Sequence, residues 1–343
     1  MKKPPLQDRR SFLKAMGGST AMAAALPVLF NQQQAAAAPP DAAGANHPGY
    51  SAGRFALEID NTFAGWLLGA EGGHAVGEVI TELFGPGKFM RKQVSGYTFE
   101  DILISFDTLS PALLNVVQRT LNLEKTRVEG AIVTVDENSK VLSRLMFYGA
   151  LITEINFPAL DAASGDAVKM TVKLAPEFVQ RMPGSGSLAS PPPAITAQRR
   201  WLASNFRLAI DGLDCSSVSR VEALTVRQIP YPGPGGGPGP GPTAVEFPDV
   251  VLTLSEYSAP KFYKWHEDYV INGGNGNAYE KAGTLSWLDL NGKELGSLSL
   301  KGLGVFKVAP VKPEPGTGAV RLVEVEMYCE EINVKPGGVP VPR

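Results

Sequence analysis

Asp289-Leu-Asn-Gly-Lys-Glu294 opens as a calcium loop does, with side-chain oxygens at its first and third positions. Lysine at the fifth position removes a ligand and no glutamate closes the loop at the twelfth, so the stretch lacks the donors for a hard cation. Asn291-Gly292 between apolar runs instead spells a hairpin turn, with glycine at the positive-φ position. Asn272-Gly-Gly-Asn-Gly-Asn277 is one isolated fragment of a calcium repeat and reads as a loop after a helix. His47, His74 and His266 are scattered, as are Cys215 and Cys329, and none has a second ligand at zinc-like spacing. Gly184-Ser-Gly-Ser-Leu188 fails the nucleophile-elbow pattern. His266 adjoins Glu267, but neighbouring residues on a helix point apart. Asp101 and Asp249 recur at like positions, as a pair of hydrolytic carboxylates would; an aspartate at a turn entering a strand also serves local hydrogen bonding. The expectation is a protein with no catalytic, cofactor-binding or metal-binding residues.

The elements that hold these residues are written twice. Gly130, Asp136, Asn138, Lys140, Gly149 and Gly165 answer Gly283, Asp289, Asn291, Lys293, Gly302 and Gly318 at a constant offset of 153 residues. Allowing short insertions, Phe55–Asp60 answers Phe206–Asp211, and Phe99–Phe106 answers Phe247–Leu254. Ile102, Ile104 and Phe106 correspond to Val250, Leu252 and Leu254, the alternation of a half-buried strand. A helix follows in each copy, opened by Ser110-Pro111 and by Ser258-Ala-Pro260, where serine caps free amides and proline suits the first turn. Leu114, Val117 and Leu121 match Phe262, Trp265 and Tyr269, a spacing that puts each set on one helical face packed against a sheet. A period this long predicts two domains rather than a solenoid.

Ahead of the repeats, Arg9 and Arg10 followed by Phe12, Leu13 and Lys14, then a mildly apolar stretch from Ala15 to Phe30, spell a twin-arginine export signal. Ala35 and Ala37 supply the small residues that a signal peptidase needs, and Pro39 disfavours cleavage after Ala38. The apolar run is shorter than the roughly 20 residues that cross a bilayer, and it contains Pro27. Removing residues 1–37 takes away five bases and one acid and moves the formal charge from −2 to −6. A mildly acidic chain with no basic run argues against nucleic acid as an electrostatic partner, and no later segment is long and apolar enough to span a membrane. Export to the periplasm or beyond would let Cys215 and Cys329 pair; the alternative is two small buried hydrophobes.

The order strand, strand, long loop, strand, helix, hairpin and final strand resembles the tail tube protein family of long-tailed bacteriophages. The likeness is carried by RKQVSGYTFEDILISFD (Arg91–Asp107), GAIVTVDENSKVL (Gly130–Leu142) and LDAASGDAVKMTVKL (Leu160–Leu174), and less closely by the second copy. It implies a mainly β fold with one helix per domain: two tandem tail-tube-like β-barrel or sandwich domains. The segments are a signal peptide, 1–37; a linker, 38–52; domain 1, 53–182; a Pro/Gly/Ser linker, 183–204; domain 2, 205–334; and a flexible tail, 335–343. Six domains of that family close a ring, so the resemblance implies a homo-oligomer, three two-domain chains forming a pseudo-hexameric ring, with tail-like or surface-structure partners. In the second copy the proline-glycine tract from Pro230 to Pro242 replaces the Arg91-Lys92 approach, which counts against stacking of rings into a long tube. The competing expectation is an exported binding module that holds a glycan or a protein through loops such as Pro230–Pro242, which carries Tyr231.

Overall fold

The computed structural model describes residues 54–84, 89–107, 110–124, 127–188, 201–230, 243–312 and 321–336. The export residues Arg9, Arg10, Phe12, Leu13 and Lys14, the cleavage residues Ala35 and Ala37, and the tract 231–242 lie outside the described residues. The first half runs β1 (Arg54–Ile59), β2 (Thr62–Leu67), β3 (Gly69–Gly72), β4 (Ala75–Phe84), β5 (Phe89–Phe99), β6 (Ile102–Phe106), α1 (Pro111–Leu121), β7 (Arg127–Val135), β8 (Val141–Phe157), β9 (Leu160–Asp161), β10 (Met170–Ala175) and β11 (Phe178–Pro183). The second runs β12 (Phe206–Ile210), β13 (Val218–Val221), β14 (Leu224–Pro230), β15 (Thr243–Glu246), β16 (Val250–Ser255), α2 (Pro260–His266), β17 (Lys281–Leu288), β18 (Glu294–Pro310), β19 (Leu322–Tyr328) and β20 (Glu331–Pro336). The described residues form a mainly β fold, with two α-helices and two main sheets that include a nearly closed barrel.

Every pairing is antiparallel. β1 pairs with β7, β7 with β8, β8 with β10 and β11, β10 with β6, and β6 with β3. In the second half β12 pairs with β17, β17 with β18, β18 with β19 and β20, β19 with β16, and β16 with β13. Gly130 lies opposite Phe147 and Gly283 opposite Leu300; Ile155 opposite Val172 and Val308 opposite Val325; Phe147 opposite Val179 and Leu300 opposite Ile332. Each residue of the second set lies 153 positions beyond its counterpart. Among the described residues β2, paired to β1, has no equivalent in the second sheet.

The shared turns and bends have local causes. In the β7–β8 turn the Asp136 carboxylate accepts from the amides of Asn138 at 2.9 Å and Lys140 at 2.8 Å, and Ser139 takes φ 63°. In the β17–β18 turn Asp289 accepts from Asn291 and Lys293, both at 2.8 Å, and Gly292 takes φ 76°. β8 and β18 are each 17 residues long and bend at Gly149 (φ 59°) and Gly302 (φ 62°), a left-handed conformation that L side chains resist. That bend lets each strand serve two sets of partners.

Ser110 caps α1, its hydroxyl accepting from the Leu113 amide at 3.2 Å. The expected cap at Ser258 is not made: Ala259 stands before α2 without a side-chain bond, and Ser255 instead caps a 3₁₀ turn over Glu256–Ser258. Both predicted stripes, Leu114, Val117 and Leu121 and then Phe262, Trp265 and Tyr269, are buried, with Tyr269 on a π-helical turn that extends α2. One apolar cluster runs through both sheets and both helices. Where a long loop was expected ahead of β6, the chain forms the β4–β5 hairpin, a two-stranded sheet of its own.

Candidate assembly surface

The two hairpins that precede β6 and β16 meet different fates. β14 and β15 pair with each other, and β14 then crosses to the first sheet, where Leu224, Thr225, Val226 and Arg227 lie opposite Phe157, Asn156, Ile155 and Glu154 of β8. Leu224, Val226, Ile155 and Phe157 are all no more than 2% exposed. Each such side chain contributes about 1.5–3 kcal/mol by leaving water. Asn156 donates to the Thr225 hydroxyl at 2.7 Å, and Arg227 reaches Glu154 at 3.6 Å.

Three further contacts extend this joint. β13 pairs with β9, and Arg220 meets Asp161 at 3.3 Å. Gln118 on α1 donates to the Val334 carbonyl of β20 at 2.8 Å. Phe157 stacks 6.0 Å from Trp287, which in turn stacks on Trp201 at 5.1 Å. Trp201 is buried, and its carbonyl accepts from the Val168 amide. Each half gives a strand to the other half's sheet.

β4 pairs with β5 and, among the described residues, with no other strand. The apolar side chains of the two strands are bare: Val79 and Leu83 on β4 are 60% and 68% exposed, and Met90, Val94 and Tyr97 on β5 74%, 68% and 65%. An isolated hairpin is marginal in water, and an apolar edge with unpaired amides and carbonyls is a template for another strand. Only its base is anchored, through Tyr97, Phe99, Phe178 and Tyr148, whose rings follow one another at 5.6, 5.6 and 5.9 Å. On β18 the residues after Leu303 pair with β19 along one edge, while no described strand lies along the other. Among the described residues the strand-addition site on β8 is thus filled, while β4 and the stretch of β18 beyond Leu303, the edges that answer to it, are not.

The residues singled out for chemistry stay apart. Among the described residues no group of three or more histidines, cysteines, aspartates or glutamates is gathered as a metal site would require. Asp101 lies 3.9 Å from Lys173 at a strand end, and Asp249 sits ahead of β16 without a matching lysine, since the equivalent of Lys173 is Glu326. Cys215 and Cys329, which export would let pair, are both free thiols. Burial pushes the Cys329 thiol up to about 11, although its Sγ contacts the carbonyls of Lys301 and Glu331. Burial also raises Cys215. Tyr328 is held protonated by burial and by its hydrogen bonds to Tyr269 and Glu280. A cleft of 590 Å³ beside α2 is lined by Lys264, Trp265, Asp268, Tyr279 and Lys281. Trp265 is buried there, with the Lys281 ammonium 5.3 Å from its ring centroid, so it offers no open aromatic platform to a sugar.

No protein-family model matches the chain, and no curated protein matches it. Among solved structures it is similar to a chain of the sheath-tube complex of an extracellular contractile injection system in its extended state, at 14% identity and a TM-score of 0.35, covering 40% of this chain and 94% of that one. It is also similar to a chain of the anti-feeding prophage tube-terminating cap, at 18% identity and a TM-score of 0.35, covering 44% of this chain and 99% of that one.

Proposed function

We propose that the chain is an exported, non-catalytic structural subunit made of two tail-tube-like units in tandem, and that it assembles through its sheet edges into a trimer with pseudo-sixfold symmetry. One observation carries this reading: a strand-addition joint is already made between the two halves, while its equivalent edges at the two outer ends are bare. A head-to-tail joint that repeats with a closing rotation makes a ring, and three chains supply six units. The recurring register between β8, β10 and β11 and between β18, β19 and β20 supports the view that both ends have the same geometry to offer.

Light scattering and negative-stain microscopy of the purified protein test the assembly, with a mass of three chains and ring-shaped particles expected. A monomer at all concentrations overturns it. Export is tested separately by fractionating cells that carry Arg9→Lys together with Arg10→Lys; retention of the full-length chain in the cytoplasm is expected, and unchanged export overturns the assignment of the signal.

A further inference from the structure

The internal joint specifies the external one. β14 continues β13 and meets β8 near its C-terminal end; the matching parts on the free ends are β4, which follows β3, and β18. Residues of β8 map onto β18 by adding 153, so Ile155 and Glu154 become Val308 and Lys307. The first-half hairpin maps through its shared pairing to β6 and β16: Gly69 and Arg220 lie opposite Ser105 and Thr253, an offset of 151. Val226 and Arg227 then correspond to Ala75 and Val76.

We propose that β4 of one copy adds antiparallel to the open edge of β18 of a second copy, with Ala75 opposite Val308 and Val76 opposite Lys307. This rests on the self-assembly reading above and names the edge and register it would use. Val308 is half-buried and Phe306 exposed along that edge, and Ala75 and Val76 are exposed on β4, so all four have surface to lose. The occupant is a second copy because the joint inside the chain is built from the same elements in the same order, and a chain with one open edge of each kind is complementary to itself. The helix contact follows suit: His266 stands on α2 where Gln118 stands on α1, and Arg181 of β11 where Val334 stands on β20, which gives His266 a carbonyl to donate to.

The pairing is read by disulfide trapping. Paired residues of adjacent strands lie about 4.5–5.5 Å apart at Cα, within reach of a disulfide. Chains carrying Ala75→Cys are mixed with chains carrying Val308→Cys, oxidised and run on non-reducing gels, with circular dichroism to check that each variant folds. A crosslinked dimer is expected in the mixture and in neither variant alone; a mixture of Val76→Cys with Val308→Cys, one residue out of register and facing the other way, gives little. A chain carrying both Ala75→Cys and Val308→Cys closes into a covalent trimer. Crosslinking no greater than the out-of-register control, with trimers still present by light scattering, overturns this edge and leaves the assembly reading standing. Monomers alone overturn both.

Discussion

The β14–β15 hairpin and the β4–β5 hairpin sit at the same point of the two halves, yet one is covered and the other is bare. β14 buries Leu224 and Val226 against β8 and closes its amides onto Glu154–Phe157. β4 and β5 extend for 10 and 11 residues with Leu83, Met90 and Val94 exposed. The difference is not one of local preference, since both are antiparallel hairpins that lead into a buried strand. It is one of supply: the edge of β8 has a second half behind it to receive β14 from, while no described strand lies along the corresponding edge of β18.

The largest expected effect comes from breaking the covered site. Val226→Asp places an unpaired carboxylate in the joint and should cost about 3–5 kcal/mol in urea denaturation of the isolated chain. Ala75→Asp, at the equivalent position on the bare hairpin, should leave that stability within about 0.5 kcal/mol and act on self-association, measured by sedimentation. Equal losses of stability at the two positions would erase the contrast between the hairpins.

A second contrast lies beneath the hairpins, in the packing of β1 on β7 and of β12 on β17. A Cβ added at Gly130 would stand 2.2 Å from the Glu58 carbonyl oxygen and 2.7 Å from the Phe147 ring, whereas one at Gly283 would stand 3.0 Å from the Ala209 carbonyl oxygen. Gly130→Ala should therefore cost about 3 kcal/mol and Gly283→Ala about 1 kcal/mol, read from thermal and urea midpoints. The first half is the tighter copy at this crossing, and a reversed order would mean that the backbone relaxes where it is most crowded.

The glycines and turns were legible from the sequence because each is a local requirement: a residue at positive φ, a carboxylate that reaches two amides ahead, an alternation that puts Ile102, Ile104 and Phe106 on one side. The β4–β5 hairpin was not legible and read as a loop. Its pairing slips between Glu78 and Val79, and that bulge breaks the two-residue period by which a strand is recognised. The cross-half joint was hidden for another reason. Leu224 and Val226 announce a buried strand edge, but nothing in their spacing names β8 as the neighbour, because partner choice in a sheet is set by long-range geometry. Ser258 misled because a serine two residues before a proline has the form of a cap, and Ser255 supplies the cap one turn earlier.

Smaller effects test whether the long strands are equivalent. Gly149→Ala and Gly302→Ala both force a side chain into the left-handed region, at about 1–2 kcal/mol each. The added Cβ would meet the far end of Glu177 at 2.6 Å in the first case, which can swing away, but the Cβ of Glu330 at 2.8 Å in the second, which the backbone holds in place, so Gly302→Ala should be the costlier of the two.

The smallest expected difference concerns the turns at the tips of those strands. Asp136 and Asp289 each accept two backbone amides through one carboxylate oxygen, and their amides in turn bond the carbonyls of Lys140 and Lys293. Alanine at either position frees two amides to water, at about 1 kcal/mol. Asp289 is buried and Asp136 half-buried, so Asp289→Ala should be the costlier of the two by a few tenths of a kcal/mol. Asparagine keeps the accepting oxygen at both sites and should restore most of the loss. If Asp289→Asn were as damaging as Asp289→Ala, the carboxylate charge rather than the geometry of the turn would be holding this tip, and the likeness between the two hairpin turns would be one of shape without shared cause.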